Sequence, residues 1–321
     1  MAIPSGIFWG VDTAAPANGP LRYDGASIKR HDYVIRRLGR APDFWCRYIG
    51  GGNSELQPDE VPFLRDRNCK ILIVFNGRRD ARAVDADSNR PRDRQRAFQF
   101  GRDAAQRAID RADNRTGALG VRVPDGVRIY ADLEDWRVHP EWIRGWFDRM
   151  RTARFAGAGG IYGRPYRIME RPDLDRLGLD PLGTRVRRED LRRRWRDDGP
   201  PFAQRVEDRF GGSLARASAD YQQQELDALM RGDLPAADRV SRFVWANEPR
   251  RYGDPEPGED VFPPTFSPGP ADAGCQVVVW QYRANCFRRP GTRHGLDLDY
   301  AQPAAFRQMW FDGAWRSPVA P

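Results

Sequence analysis

The chain has 321 residues, 40% hydrophobic and 11% aromatic, which supports a folded protein of one large domain or two small ones and excludes a disordered chain. Its net charge is +8, and Lys29 and Lys70 are its only lysines, so arginine carries nearly all of the basic charge. No apolar run reaches the 18 or so residues that a membrane-spanning helix needs.

Two readings of the arginine stay open. A GC-rich genome writes Arg where others write Lys, and a basic chain is drawn to polyanions such as nucleic acid or an anionic cell wall. The arginines are interleaved with aspartates, as in RDRQRAFQFGRD and RRRWRDD, which argues against a dedicated nucleic-acid stripe. The opening MAIPSGIFWGVDT has neither a basic start nor a long apolar core, so it does not read as a signal peptide. The expected location is the cytoplasm, or the cell envelope by a non-classical route of export or delivery.

Eight apolar runs read as strands: 7–12, 44–50, 70–77, 127–134, 157–163, 242–248, 275–282 and 295–301. Helical patterns fill most of the gaps. Residues 27–39 form the first helix, with Ser27 as its expected N-cap, and 56–68 the second, with Pro58 near its start. Residues 92–115 make a long amphipathic helix. In 139–155, Trp142, Trp146 and Met150 recur every four residues as one core-facing stripe. Strands alternating with helices imply parallel pairing, and eight such units make a (β/α)8 barrel. A doubly wound sheet would want a Gly-rich turn after the first strand, where GVDTAAPANG stands instead.

The whole chain, 1–321, therefore reads as one α/β barrel of the TIM type. It carries an Arg-rich helical insertion at 165–241, between the fifth and sixth strands, and a long Pro/Gly-rich loop at 249–274. Long loops on such barrels usually overhang the active face. The four cysteines form no CxxC pair and the three histidines stand apart, so neither a metal site nor a cofactor is expected. A strand between Cys275 and Cys286 would hold them roughly 20 Å apart, too far for a disulfide. Four free thiols are expected, with Cys46 and Cys69 the pair worth checking.

Polar residues gather at the strand ends. The first strand ends at Asp12, the third at Asn76, the fourth at Asp132 and Glu134, the fifth at Tyr162 and the sixth at Trp245 and Asn247. The seventh ends at Gln281 and Tyr282, and the eighth carries Asp297 and Asp299. Barrel enzymes build their sites at the C-terminal ends of their strands. Asp132 and Glu134 are two apart on one strand, so they share a face, roughly 7 Å apart. Carboxylates crowded at one mouth cannot all ionise freely, and one of them kept protonated is a general acid. Paired acids suit glycosidic cleavage, and they also suit binding of a hard cation. Asp135, next to Arg137 and ahead of a helix, reads as an N-cap or an ion-pair partner. Trp245, Trp280 and Tyr282 lie near the mouth or the wall, where aromatic faces suit either sugar rings or core packing.

The segments GVDT (10–13), FWCRYIGG (44–51), LQPDEVPFL (56–64), IYADLED (129–135), GGIYG (159–163), VWAN (244–247), VVVWQY (277–282) and GLDLDYA (295–301) occur in this order. The set resembles the glycoside-hydrolase-like barrel domain of actinobacterial and fungal proteins, a relative of the family-25 lysozymes that cleave peptidoglycan. The resemblance spans nearly all of the chain outside 165–241. It implies Glu134 as the general acid that protonates the glycosidic oxygen. It also implies that Asp132 orients the substrate's 2-acetamido group for a substrate-assisted, retaining attack. Asp12 and Asp297 would tune those groups and hold the sugar. Tyr162 and Gln281 become sugar contacts, with Asn76, Trp245, Asn247, Tyr282 and Asp299 as further substrate-binding candidates.

The expected partner is a wall glycan, with a protein partner for 165–241 a further option. Other readings are a catalytically silent carbohydrate-binding barrel, a component or cargo of a phage-tail-like particle, and a nucleic-acid binder with weak, non-specific affinity.

Overall fold

The computed structural model describes residues 3–76, 83–84, 88, 90–133, 138–157, 159–163, 242–256, 259–268, 275–287 and 295–311. The 165–241 insertion lies outside the described residues, as do Glu134 and Asp135.

Eight strands close into a barrel. Strand β1 (Phe8–Asp12) is followed by a hairpin of β2 (Pro20–Tyr23) and β3 (Ala26–Lys29), then helix α1 (Arg30–Leu38), strand β4 (Phe44–Ile49) and helix α2 (Glu60–Arg65). Strand β5 (Lys70–Phe75), helix α3 (Pro91–Ala112), strand β6 (Ile129–Asp132), helix α4 (Pro140–Arg151) and strand β7 (Gly160–Gly163) continue the alternation. The last described elements are β8 (Arg242–Tyr252), β9 (Cys275–Cys286), β10 (Leu296–Ala301) and the single turn of α5 (Pro303–Phe306). Around the wall the order is β1, β10, β9, β8, β7, β6, β5, β4, which is a mixed α/β barrel.

Each of the eight runs read as strands from the sequence supplies one stave. The alternation is that of half-buried strands with a two-residue period. Phe44, Cys46 and Tyr48 of β4, Leu72 and Val74 of β5 and Tyr130 of β6 point into the barrel and form one buried cluster. Their neighbours Trp45, Ile71, Ile73, Ile129 and Ala131 belong to a second, outer cluster under the helices. There the Trp142 and Trp146 rings of α4 stack 6.0 Å apart, and Trp146 lies 6.1 Å from Phe75, as the core-facing stripe required.

The barrel departs from the expected (β/α)8 pattern at its closure. Strand β10 runs antiparallel to both neighbours, β1 and β9, while the other seven strands are parallel. The cause lies in the connection. Only residues 287–295 separate β9 from β10, and a parallel crossover needs a dozen or more. Among the described residues no helix follows β8 or β9. Residues 259–268 take a helix's place against the outer wall. Phe262 meets Trp9 edge-on at 5.3 Å, Phe266 meets Trp280 at 6.1 Å, and the Tyr300 hydroxyl donates to the Pro263 carbonyl at 2.9 Å. This part of the expected 249–274 loop therefore covers the wall, and the loop's first residues, to Tyr252, extend β8.

Smaller differences have local reasons. Ser27 lies in β3 and Lys29 takes the N-cap of α1, because the dipeptide Asp24-Gly25, both at positive φ, turns 20–29 into a hairpin. Helix α2 is shorter than the expected 56–68. Helix α4 is capped by His139, whose Nδ1 accepts the Glu141 N–H at 3.0 Å. Cys46, Cys69 and Cys286 are free and buried, and Cys275 and Cys286 stand at opposite ends of β9. Among the described residues no helix is long and apolar enough to cross a membrane.

Candidate active site

Asp12 is the last residue of β1, Asp132 the last of β6, and Asp297 the second of β10. In an all-parallel barrel Asp297 would lie at the end remote from the other two. The antiparallel course of β10 instead sets Asp297 directly opposite Asp12 in the register. The three carboxylates thus share one mouth, at the C-terminal ends of the parallel strands. Asp12 and Asp132 are buried and Asp297 is half-buried.

Asp12 accepts a hydrogen bond from the Tyr48 hydroxyl at 3.4 Å, and the Cys46 side chain also hydrogen-bonds to it. Burial, with Asp12 and Asp299 nearby, pushes the Cys46 thiol well up, so it stays protonated as a donor beneath the acid. Asp297 accepts the Asn285 N–H at 2.7 Å and a hydrogen bond from the Gln281 side chain. Burial outweighs both and pushes its carboxyl up to about 6.

Below the carboxylates an aromatic floor closes the barrel. The Tyr162 and Trp245 rings lie 4.1 Å apart, and Tyr130 meets Trp245 edge-on at 6.2 Å. Trp245 is fully buried, and its Nε1–H donates to Asp299 Oδ1 at 2.9 Å, so both residues belong to the floor. Asn247 and Gln281 pair across β8 and β9 at the level of Tyr162. Asn76 follows β5 at the same end, its N–H bonded to the Ile49 carbonyl at 3.0 Å.

Tyr282 does not share the mouth. It packs in the outer cluster, 4.7 Å from the Tyr300 ring and 5.7 Å from Trp280. Glu134 lies two residues beyond Asp132, outside the described residues. Tyr48 and Cys46 also contact Asp12 at this mouth, and neither is among the candidate site residues read from the sequence. Their signal was present in FWCRYIGG, where both alternate inward with Phe44. Arg47, between them, points outward into a buried knot. Its Nε bonds Glu60 Oε2 at 3.0 Å, and Nη1 and Nη2 reach the Thr13 and Glu55 carbonyls, each at 3.0 Å. Glu60 Oε1 accepts the Ala17 N–H at 2.7 Å, so the knot ties the end of β1 to α2.

Among the described residues no cluster of His, Cys, Asp and Glu has the arrangement of a metal site.

No protein-family model matches the chain, and no curated protein is similar to it. Among solved structures, an uncharacterized protein of B. stearothermophilus superposes with a TM-score of 0.52 at 18% identity, covering 94% of this chain and 100% of that one. The spore cortex lytic enzyme SleM of Clostridium perfringens aligns with a TM-score of 0.38 at 11% identity, covering 94% of this chain and 69% of that one. The first likeness is one of fold.

Proposed function

We propose that the protein is a glycoside hydrolase of bacterial cell-wall glycan, with muramidase-like chemistry. The observation that carries this reading is the convergence of Asp12, Asp132 and Asp297 on one mouth, above a closed aromatic floor. A structural role alone would not call for three strands to end in carboxylates at the same place, since buried like charges are costly.

Glu134, two residues after Asp132 in the sequence, is the general acid that protonates the glycosidic oxygen. Asp132 orients the 2-acetamido group, whose carbonyl oxygen attacks the anomeric carbon as the leaving group departs. Water then opens the cyclic intermediate with retention of configuration. Asp12, held by Tyr48, and Asp297 carry the local negative potential that favours an oxocarbenium-like centre. Asn76 contacts the sugar.

The test is release of reducing ends from purified peptidoglycan, with Glu134→Gln beside the wild type. Release by the wild type that falls about 10²–10⁴-fold in the variant is expected for loss of a general acid. Wild-type protein that pellets with the insoluble glycan but releases nothing would overturn the hydrolase reading in favour of a silent binding barrel.

A further inference from the structure

Tyr162 is fully buried on β7, yet its hydroxyl serves two partners. Asn247 Nδ2 on β8 donates to it at 3.2 Å, and it donates to Gln281 Oε1 on β9 at 2.8 Å. Gln281, itself buried, hydrogen-bonds through its side chain to Asp297 on β10. One assignment of protons satisfies all three links. An ionised carboxylate only accepts, so Gln281 must present Nε2 to Asp297. Its Oε1 is then the acceptor for Tyr162, whose lone pairs take the Asn247 N–H. All donors point one way, from β8 through β7 and β9 to β10, and each bond polarises the next.

We propose that Tyr162 and Asn247 are positioning residues: with Gln281 they form a one-way chain of donors that holds the Asp297 carboxyl in the mouth and aims its second oxygen at the substrate. This deepens the hydrolase reading and rests on it for the role of Asp297. It moves Tyr162 from sugar contact to support, in keeping with a hydroxyl already committed to two protein groups. Among the described residues, the charged and titratable groups around Asp297 are Asp12, opposite it on β1, Asp299 on its own strand, and Cys286 and Arg283 on β9. None of them lies on the chain, so removing a link leaves them in place.

The experiment is a pH titration of the Asp297 carboxyl by NMR of the full-length protein labelled at aspartate Cγ, with Asp297→Asn to assign the signal. The wild-type midpoint is expected near 6. Gln281→Leu, which removes the direct donor, is expected to raise it by about one to two pH units. Tyr162→Phe keeps the ring and deletes the link, and is expected to raise the midpoint by a few tenths of a unit. Asn247→Leu should move it the same way by less, and serves if Tyr162→Phe does not fold.

No upward shift in Gln281→Leu would overturn the donation to Asp297. A shift there with none above about 0.1 unit in a folded Tyr162→Phe or Asn247→Leu would overturn the chain. No substrate is used, so failure of peptidoglycan cleavage and failure of the chain are separate results.

Discussion

Asp297 shows what burial does to a carboxyl at the mouth of the barrel. Its folded pKa lies above that of a free carboxyl, because burial costs the charged form more than Asn285 and Gln281 return. The folded state therefore holds the proton more tightly than the unfolded chain, and stability falls as pH rises from about 4 to about 6. Above that window the ionised group is a net cost. Asp297→Asn should raise stability at pH 7.5 by on the order of 1–2 kcal/mol and leave it unchanged near pH 3.5, read from urea midpoints at both pH values. Equal effects at both would mean that the carboxyl is not desolvated in the folded protein. Arg47 and Glu60 are the contrasting case. They are more deeply buried than Asp297, but every link in their knot is answered by a backbone group or by each other, so they support the fold and are not free for chemistry.

Among the described elements, α3 and α4 meet backbone to backbone on the outer layer, and this contact depends on two glycines. A methyl group at Gly101 would overlap the Trp142 carbonyl oxygen, and one at Gly145 would overlap the Phe98 carbonyl oxygen. Backbone is in contact with backbone, so neither side can yield by a rotamer change. Gly101→Ala gains intrinsic helix propensity of about 1 kcal/mol but must push the helices apart, and a net loss of about 2–4 kcal/mol is expected. Denaturant unfolding measures it, and a variant as stable as the wild type would mean that the helices are less closely apposed.

For the whole molecule, the net charge of +8 stands on a described surface where arginines are interleaved with acids. Arg154 pairs with Asp113 and Asp125, Arg115 with Asp110 and Asp113, Arg94 with Glu141 and Arg102 with Asp148. Alternating signs of this kind break up a single-sign stripe and leave only the diffuse field of the net charge. Binding to duplex DNA should be non-specific and should disappear by about 0.2 M salt, by fluorescence anisotropy across a salt series. A sequence preference that survives at that salt would reinstate the nucleic-acid reading.

The order and nearly the extent of the eight staves could be read from the chain, because a half-buried strand writes its two faces into alternate residues. The polar ends of the strands were legible for the same reason: Asp12, Asp132, Tyr162, Asn247 and Gln281 each continue the inward parity of an apolar run. That parity also separates Gln281 from Tyr282, since neighbours on a strand face opposite sides. Direction was not legible in that pattern, because alternation is the same whichever way a strand runs. The short link at 287–295 forces β10 to turn back, and closure between β9 and β1 then sets Asp297 against Asp12. The place of 259–268 was likewise decided by contact. Trp9, Trp280 and Tyr300 come from three strands, and only the closed barrel lays them side by side as a surface that Phe262 and Phe266 can cover.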